Sequence, residues 1–186
     1  GYIGSVTNAL VIQQETDGNR CVEADGIGSY SSKSDEFIQD MFARGLNSRP
    51  TIIGLTCIFS PSEGTHDPGA GLRLREGLWP TIQGAVVFGG YGEEVSPGEH
   101  WAIRVDDTVA SDGFALGNAA ISDSVFAAVT KSSKTIAGQD VSDWLQANSN
   151  TVFADLTVPV NPTQAANTDL ILFSSSNGFC EKSMLL

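Results

Sequence analysis

The stretch Thr51-Ile52-Ile53-Gly54-Leu55-Thr56-Cys57-Ile58-Phe59-Ser60 decides how this chain is read. β-Branched and aromatic residues dominate it, as they do where a strand packs one face on a core. It reads as one strand, 51–60. Trp101-Ala102-Ile103-Arg104-Val105 reads the same way, with apolar residues at odd positions and Arg104 on the opposite face. Working outward, similar runs occur at 9–14, 72–75, 82–89, 100–105, 124–130, 151–158 and 169–174. Turn signals carried by 20 Gly and 7 Pro separate them. Short strands at that spacing indicate a sandwich or barrel. The reading finds no internal repeat.

Two segments have helical period. The first spans 34–44: Ser34 is a favourable N-cap, and Asp35 and Glu36 face the positive end of the dipole. Phe37, Ile38, Met41 and Phe42 form its apolar stripe, and Gly45 suits a left-handed cap. The second, 140–147, places Val141, Trp144 and Leu145 on one face. The expected fold is therefore all-β. It is a single domain over 1–186, an eight-stranded antiparallel β-sandwich of the jelly-roll kind, with two short helices in loops.

Composition narrows the function. The chain has 186 residues, 41% hydrophobic and 17% charged, which excludes a disordered segment. No run approaches the ~20 apolar residues of a membrane helix, so no membrane partner is expected. Net charge is −12, and the ten Lys and Arg are scattered, so little direct contact with RNA is expected. Cys21, Cys57 and Cys180 are odd in number and far apart, which fits free thiols in a reducing compartment. The chain starts at Gly1, with neither Met nor a signal-peptide pattern. That start is expected either where a tag has been removed or where a protease has released the chain from a longer precursor.

Motifs for catalysis are missing. His66 sits in a turn-rich loop and His100 at a strand start, with no spacing that gathers metal ligands. No Gly-x-Ser-x-Gly elbow occurs. Phe88-Gly89-Gly90-Tyr91-Gly92 lacks the Lys and Ser/Thr of a phosphate loop, and Glu93 and Glu94 follow it. Asp106, Asp107 and Asp112 concentrate carboxylates without the EF-hand spacing. The expectation is no enzyme, no catalytic residue, no metal and no cofactor.

A resemblance supplies the positive reading. Trp144-Leu145-Gln146-Ala147-Asn148-Ser149-Asn150-Thr151-Val152-Phe153-Ala154-Asp155-Leu156, then Pro162-Thr163-Gln164 and Asp169-Leu170-Ile171-Leu172-Phe173, resembles the end of the small coat protein of comoviruses and fabaviruses. The likeness covers about the last 70 residues. It implies a structural subunit of an icosahedral plant-virus capsid with a picornavirus-like jelly roll. Its partners would be a larger two-domain coat protein and further copies of itself around fivefold axes. The expected locations are the virion and, during assembly, the host cytoplasm. Proteolytic processing of a polyprotein would create Gly1. Assembly contacts are expected in the loops 63–71, 91–98 and 106–113, at Glu63, His66, Asp67, Tyr91, Glu93, Glu94, Asp106, Asp107 and Asp112. The alternative is a β-sandwich that binds carbohydrate or a receptor, as a phage fibre tip does, through Trp79, Tyr91 and Trp101.

Overall fold

The computed structural model describes residues 1–12, 20–59, 70–89, 101–127 and 135–152. The expected strand at 169–174 and most of 151–158 lie outside the described residues. Gly54 breaks the expected strand 51–60 in two. Its φ of 66° lies in the left-handed region, where glycine carries no Cβ penalty. The same conformation recurs at Asn8, Gly84 and Asp123, with φ of 53°, 63° and 52°. Asn and Asp are the non-glycine residues that tolerate it best.

Each of these residues turns a corner between two short strands. The first coil contains β1 (Ser5–Thr7), β2 (Leu10–Ile12) and β3 (Arg20–Asp25). The second contains β4 (Thr51–Ile53), β5 (Thr56–Phe59) and β6 (Ala70–Arg75), and the third β7 (Thr81–Gln83), β8 (Val86–Gly89) and β9 (Trp101–Val105). β10 (Ala120–Ser122) and β11 (Val125–Ala127) continue the fourth, and β12 (Thr151–Val152) a fifth. Up to β11 every third strand stacks on the one before, and β12 stacks on β11, giving the orders β1-β4-β7-β10, β12-β11-β8-β5-β2 and β3-β6-β9. All pairings are parallel. The described residues thus form a three-sided parallel β-solenoid.

This overturns the antiparallel sandwich. Alternation with period two is the same for parallel and antiparallel strands, so the pattern in 51–60 and 101–105 does not choose between them. What chooses is the partner. Thr51 pairs with Ser5 and with Thr81, not with a neighbour across a hairpin. A parallel pair needs a long crossover, and here the other two sides of the coil provide it.

The coils also reveal a repeat that the sequence reading missed. Thr51-Ile52-Ile53-Gly54-Leu55 and Thr81-Ile82-Gln83-Gly84-Ala85 occupy equivalent places, as do Ser5-Val6-Thr7-Asn8-Ala9 and Ala120-Ile121-Ser122-Asp123-Ser124. The ladder runs on through the corner. Asn8, Gly54 and Gly84 N–H groups donate to the carbonyls of Ile53, Gln83 and Ser122 at 2.8, 2.9 and 3.2 Å.

Stacked coils bury matching side chains in rows. Ile52, Ile82 and Ile121 make one, and Cys57, Val87 and Phe126 another; all are buried. Val6 belongs to the first row, yet it is 40% exposed, because β1 pairs on one side only among the described residues. The lowest corner is polar. Asn150 accepts from Ser124 N–H at 3.1 Å and donates through Nδ2 to the Ile121 and Leu145 carbonyls at 2.8 and 3.0 Å.

Two of the helices lie where the third sheet returns toward the first, and the last precedes β12. α1 (Asp35–Ala43) and α3 (Val141–Ala147) match the expected segments. Ser34 caps α1 by accepting from Phe37 N–H at 3.3 Å. α2 (Thr108–Ala115) corrects the expected loop 106–113. Its Asp107 N-cap accepts from Ala110 N–H at 2.7 Å. Gly113 disguised this helix as a turn, but it is there for space: a Cβ would meet Trp79 Cδ1 at 2.0 Å. Trp79 itself stacks on Phe42 with 4.8 Å between ring centroids and donates to the Val109 carbonyl at 3.0 Å.

The cysteines also depart from expectation. Cys21 on β3 and Cys57 on β5 form a disulfide across the first two coils, with Cα atoms 5.9 Å apart. They are 36 residues apart in sequence, and only the coiling brings them together.

Candidate functional site

The third sheet, β3-β6-β9, carries the charged constellation of the described residues. Its register aligns Arg20, Ala70 and Trp101 in one row and Glu23, Arg73 and Arg104 in another, three residues further along. Asp25 and Arg75 are paired in a third. Leu72, Leu74, Ile103 and Val105 are fully buried inside the coil, so Arg73 and Arg104, between them in the alternation, face outward.

Ion pairs knit these outward residues together. Arg73 donates from Nη1 to Glu23 at 3.1 Å and from Nε to Asp106 at 2.6 Å. Arg104 Nε also donates to Asp106. Arg75 holds Asp25 with two nitrogens, one at 3.2 Å, and lies 3.2 Å from Glu23. The hydrogen bond that Arg75 donates to Asp25 raises the guanidinium pKa above its ordinary value, because the carboxylate favours the charged form. Arg20 completes the cluster on Glu23 at 3.1 Å. Side-chain exposures of 10%, 14% and 16% for Arg73, Asp106 and Arg104 place the pairs largely out of water.

One corner of this network is unfinished. The Arg104 guanidinium lies over the Trp101 ring, 4.8 Å from its centroid. Trp101 Nε1 and Arg104 Nη1 are both buried donors without a hydrogen-bond partner among the described residues. Such a donor costs about 1–3 kcal/mol to leave unmet. Among the described residues no group of three His, Cys, Asp or Glu could hold a metal ion.

The residues expected from sequence divide sharply. Glu63, His66, Asp67, Tyr91, Glu93 and Glu94 lie outside the described residues, as does His100. Asp106 is the shared partner of Arg73 and Arg104. Asp107 is the cap of α2 and also accepts from Glu76 N–H. Asp112 is exposed on α2. The three do not converge on one loop. Gly1 sits against the Leu46–Asn47 backbone, where a Cβ would lie 2.4 Å from the Leu46 carbonyl oxygen. Trp79 belongs to the core, whereas Trp101 is half-buried under the Arg104 guanidinium.

Sequence reading passed over Arg104 because an isolated arginine on a strand's outer face resembles any solvated charge. The alternation around it was the available signal. It showed which way Arg104 points but not that Trp101 lies beneath it. No protein-family model matches the chain, and no curated protein or solved structure does either, so the likeness to small coat proteins rests on the quoted residues alone.

Proposed function

We propose that this chain is a recognition module rather than an enzyme, binding a glycan on the outer face of β3-β6-β9. The observation that carries the reading is the stacked Trp101–Arg104 pair, with two buried N–H groups that find no acceptor among the described residues. An aromatic ring beside fixed donors suits a sugar, which offers an apolar ring face and a fringe of acceptor oxygens. The solenoid contributes rigidity, since the strand bearing the pair is hydrogen-bonded into a stack and Arg104 is held by Asp106 on the same face. Screening the intact chain on a glycan array tests the reading. Retention of a glycan by the native chain, lost in Trp101→Ala, is expected. Retention of none, or retention that Trp101→Ala leaves unchanged, refutes it.

A second reading has its own observation. The edges of β1 and β2 are each paired on one side only among the described residues, and Tyr2, Ile3, Val6 and Leu10 are exposed there. Open, uncharged strand edges are templates for further pairing. They favour a structural subunit of a larger assembly, for which the virus shell is the case that the sequence pointed to. That shell was inferred partly through a jelly roll, and the parallel stack removes this support. Sedimentation of the native species separates the two readings: particles of megadalton mass favour the subunit, and a monomer counts against it.

A further inference from the structure

We infer that the open end of the solenoid pairs with a second copy of this chain, β1 against β1 in antiparallel register about a two-fold axis at Val6. The inference rests on the subunit reading above and names its first partner. The end is open in both its core and its ladder. Val6 is the last member of an inward row whose other members, Ile52, Ile82 and Ile121, are buried, yet Val6 is exposed. The Arg49 and Thr51 N–H groups donate to the Tyr2 and Gly4 carbonyls at 2.7 and 3.1 Å, and Asn8 N–H donates to the Ile53 carbonyl at 2.8 Å. Even-numbered residues of this run thus face the second coil. Main-chain groups alternate in direction along a strand, so those of Ser5 and Thr7 point off the open edge. All three residues of β1 are exposed. Repeat stacks ordinarily close such an end with a polar cap. Residues 1–12 hold no charged side chain, so this end has none.

A row of main-chain donors and acceptors is answered by another extended strand. Geometry and charge favour a second copy as its source. A two-fold axis through Val6, normal to the sheet, sets Ser5 opposite Thr7 of the other copy. Antiparallel partners at such positions exchange both main-chain hydrogen bonds. The two Val6 side chains then meet on the inner face, where they extend the buried row instead of ending it. The surface is self-complementary, as a closed dimer requires. Charge points the same way. Two chains that each carry −12 repel as wholes, and the uncharged run 1–12 is where they approach at least cost. The same axis lays β2 of one copy along β3 of the other. Glu23 and Asp25 on β3 therefore do not face their own images, but the uncharged Leu10–Ile12.

Light scattering of the full chain across a concentration series tests this. A two-copy mass is expected. Ser5→Pro removes only the outward N–H, which an edge strand tolerates. It should weaken the pairing by about tenfold or more, since each copy loses a donor. Val6→Lys and Val6→Glu should each be monomeric, because like charges meet on the axis, and their equimolar mixture should recover the two-copy mass. Unchanged far-ultraviolet circular dichroism certifies the fold of each variant. An assembly that Ser5→Pro leaves intact overturns the inference and leaves the subunit reading standing. So does one that either charged Val6 variant forms as readily alone as in the mixture. A monomer at every concentration assigns the edge to something other than a second copy, and overturns the inference and the subunit reading together.

Discussion

Reducing the Cys21–Cys57 disulfide should loosen the solenoid at its first coil. The bridge joins β3 to β5 and closes a segment 36 residues long in sequence separation. Chain-entropy reasoning for a loop of that length gives about 4 kcal/mol of stabilisation. In a chain of this size each kcal/mol shifts the thermal midpoint by about 2–4 °C, so reduction should lower it by about 10 °C. Stacked coils interact chiefly with their neighbours, and the loss should therefore fall unevenly. Amides of β1 to β3 should exchange faster, while those of β7 to β11 keep their protection. Thermal melts with and without a phosphine reductant, paired with hydrogen exchange, measure both effects. Cys21→Ser should reproduce the loss without reductant. It is the better site for the change, because Cys57 is fully buried and a hydroxyl there would add a second penalty. Alkylation of the unfolded, unreduced chain provides the direct check: one of its three cysteines should react. Three reactive thiols, or a midpoint indifferent to reductant, would refute the reasoning.

Three further outcomes follow from other contacts. Asn150→Ala strips the polar corner of its partners, leaving Ser124 N–H and the Ile121 and Leu145 carbonyls unmet, and should cost about 3 kcal/mol in a denaturant titration. Gly113→Ala should destabilise by about 2 kcal/mol and change the near-ultraviolet signal of Trp79; the helix propensity gained, about 1 kcal/mol, is smaller than the cost of moving a packed ring, and a stabilised variant would show that the ring yields freely. Glu36 has its carboxyl held below its ordinary 4.5 by backbone hydrogen bonding and by Ser34 at the start of α1. A depressed folded value contributes stability above the unfolded value, lost as pH falls through the folded one. The fraying of α1 on acidification, followed by amide exchange, should thus be steeper below pH 4.5 in the native chain than in Glu36→Gln.

The helices show how far local signals reach. α1 was legible because Ser34, the acidic first turn and the Ile38–Phe42 stripe all act within one or two turns of chain. α3 was legible for the same reason. α2 was not, because its glycine answers to Trp79, more than 30 residues earlier, rather than to its own helix. The functional face divides in the same way. Arg104 and Trp101 could be placed on a strand from alternation alone, but their stacking and unmet donors depend on the chain around them.

By itself the sequence determined where short apolar segments form, which of their faces turn inward, and that no known catalytic or metal-binding motif is written along them. Those properties follow from propensity and periodicity, which operate over a few residues. Only the tertiary structure decided which strands pair, and in which direction. A positive φ at Asn8, Gly54, Gly84 and Asp123 bends each segment onto a new side, and the next coil, dozens of residues away, provides its partner. Parallel and antiparallel ladders take the same alternating pattern, so the stretch 51–60 could not reveal that it belongs to two sheets of a solenoid. The Cys21–Cys57 bridge and the Trp101–Arg104 pair both depend on that coiling.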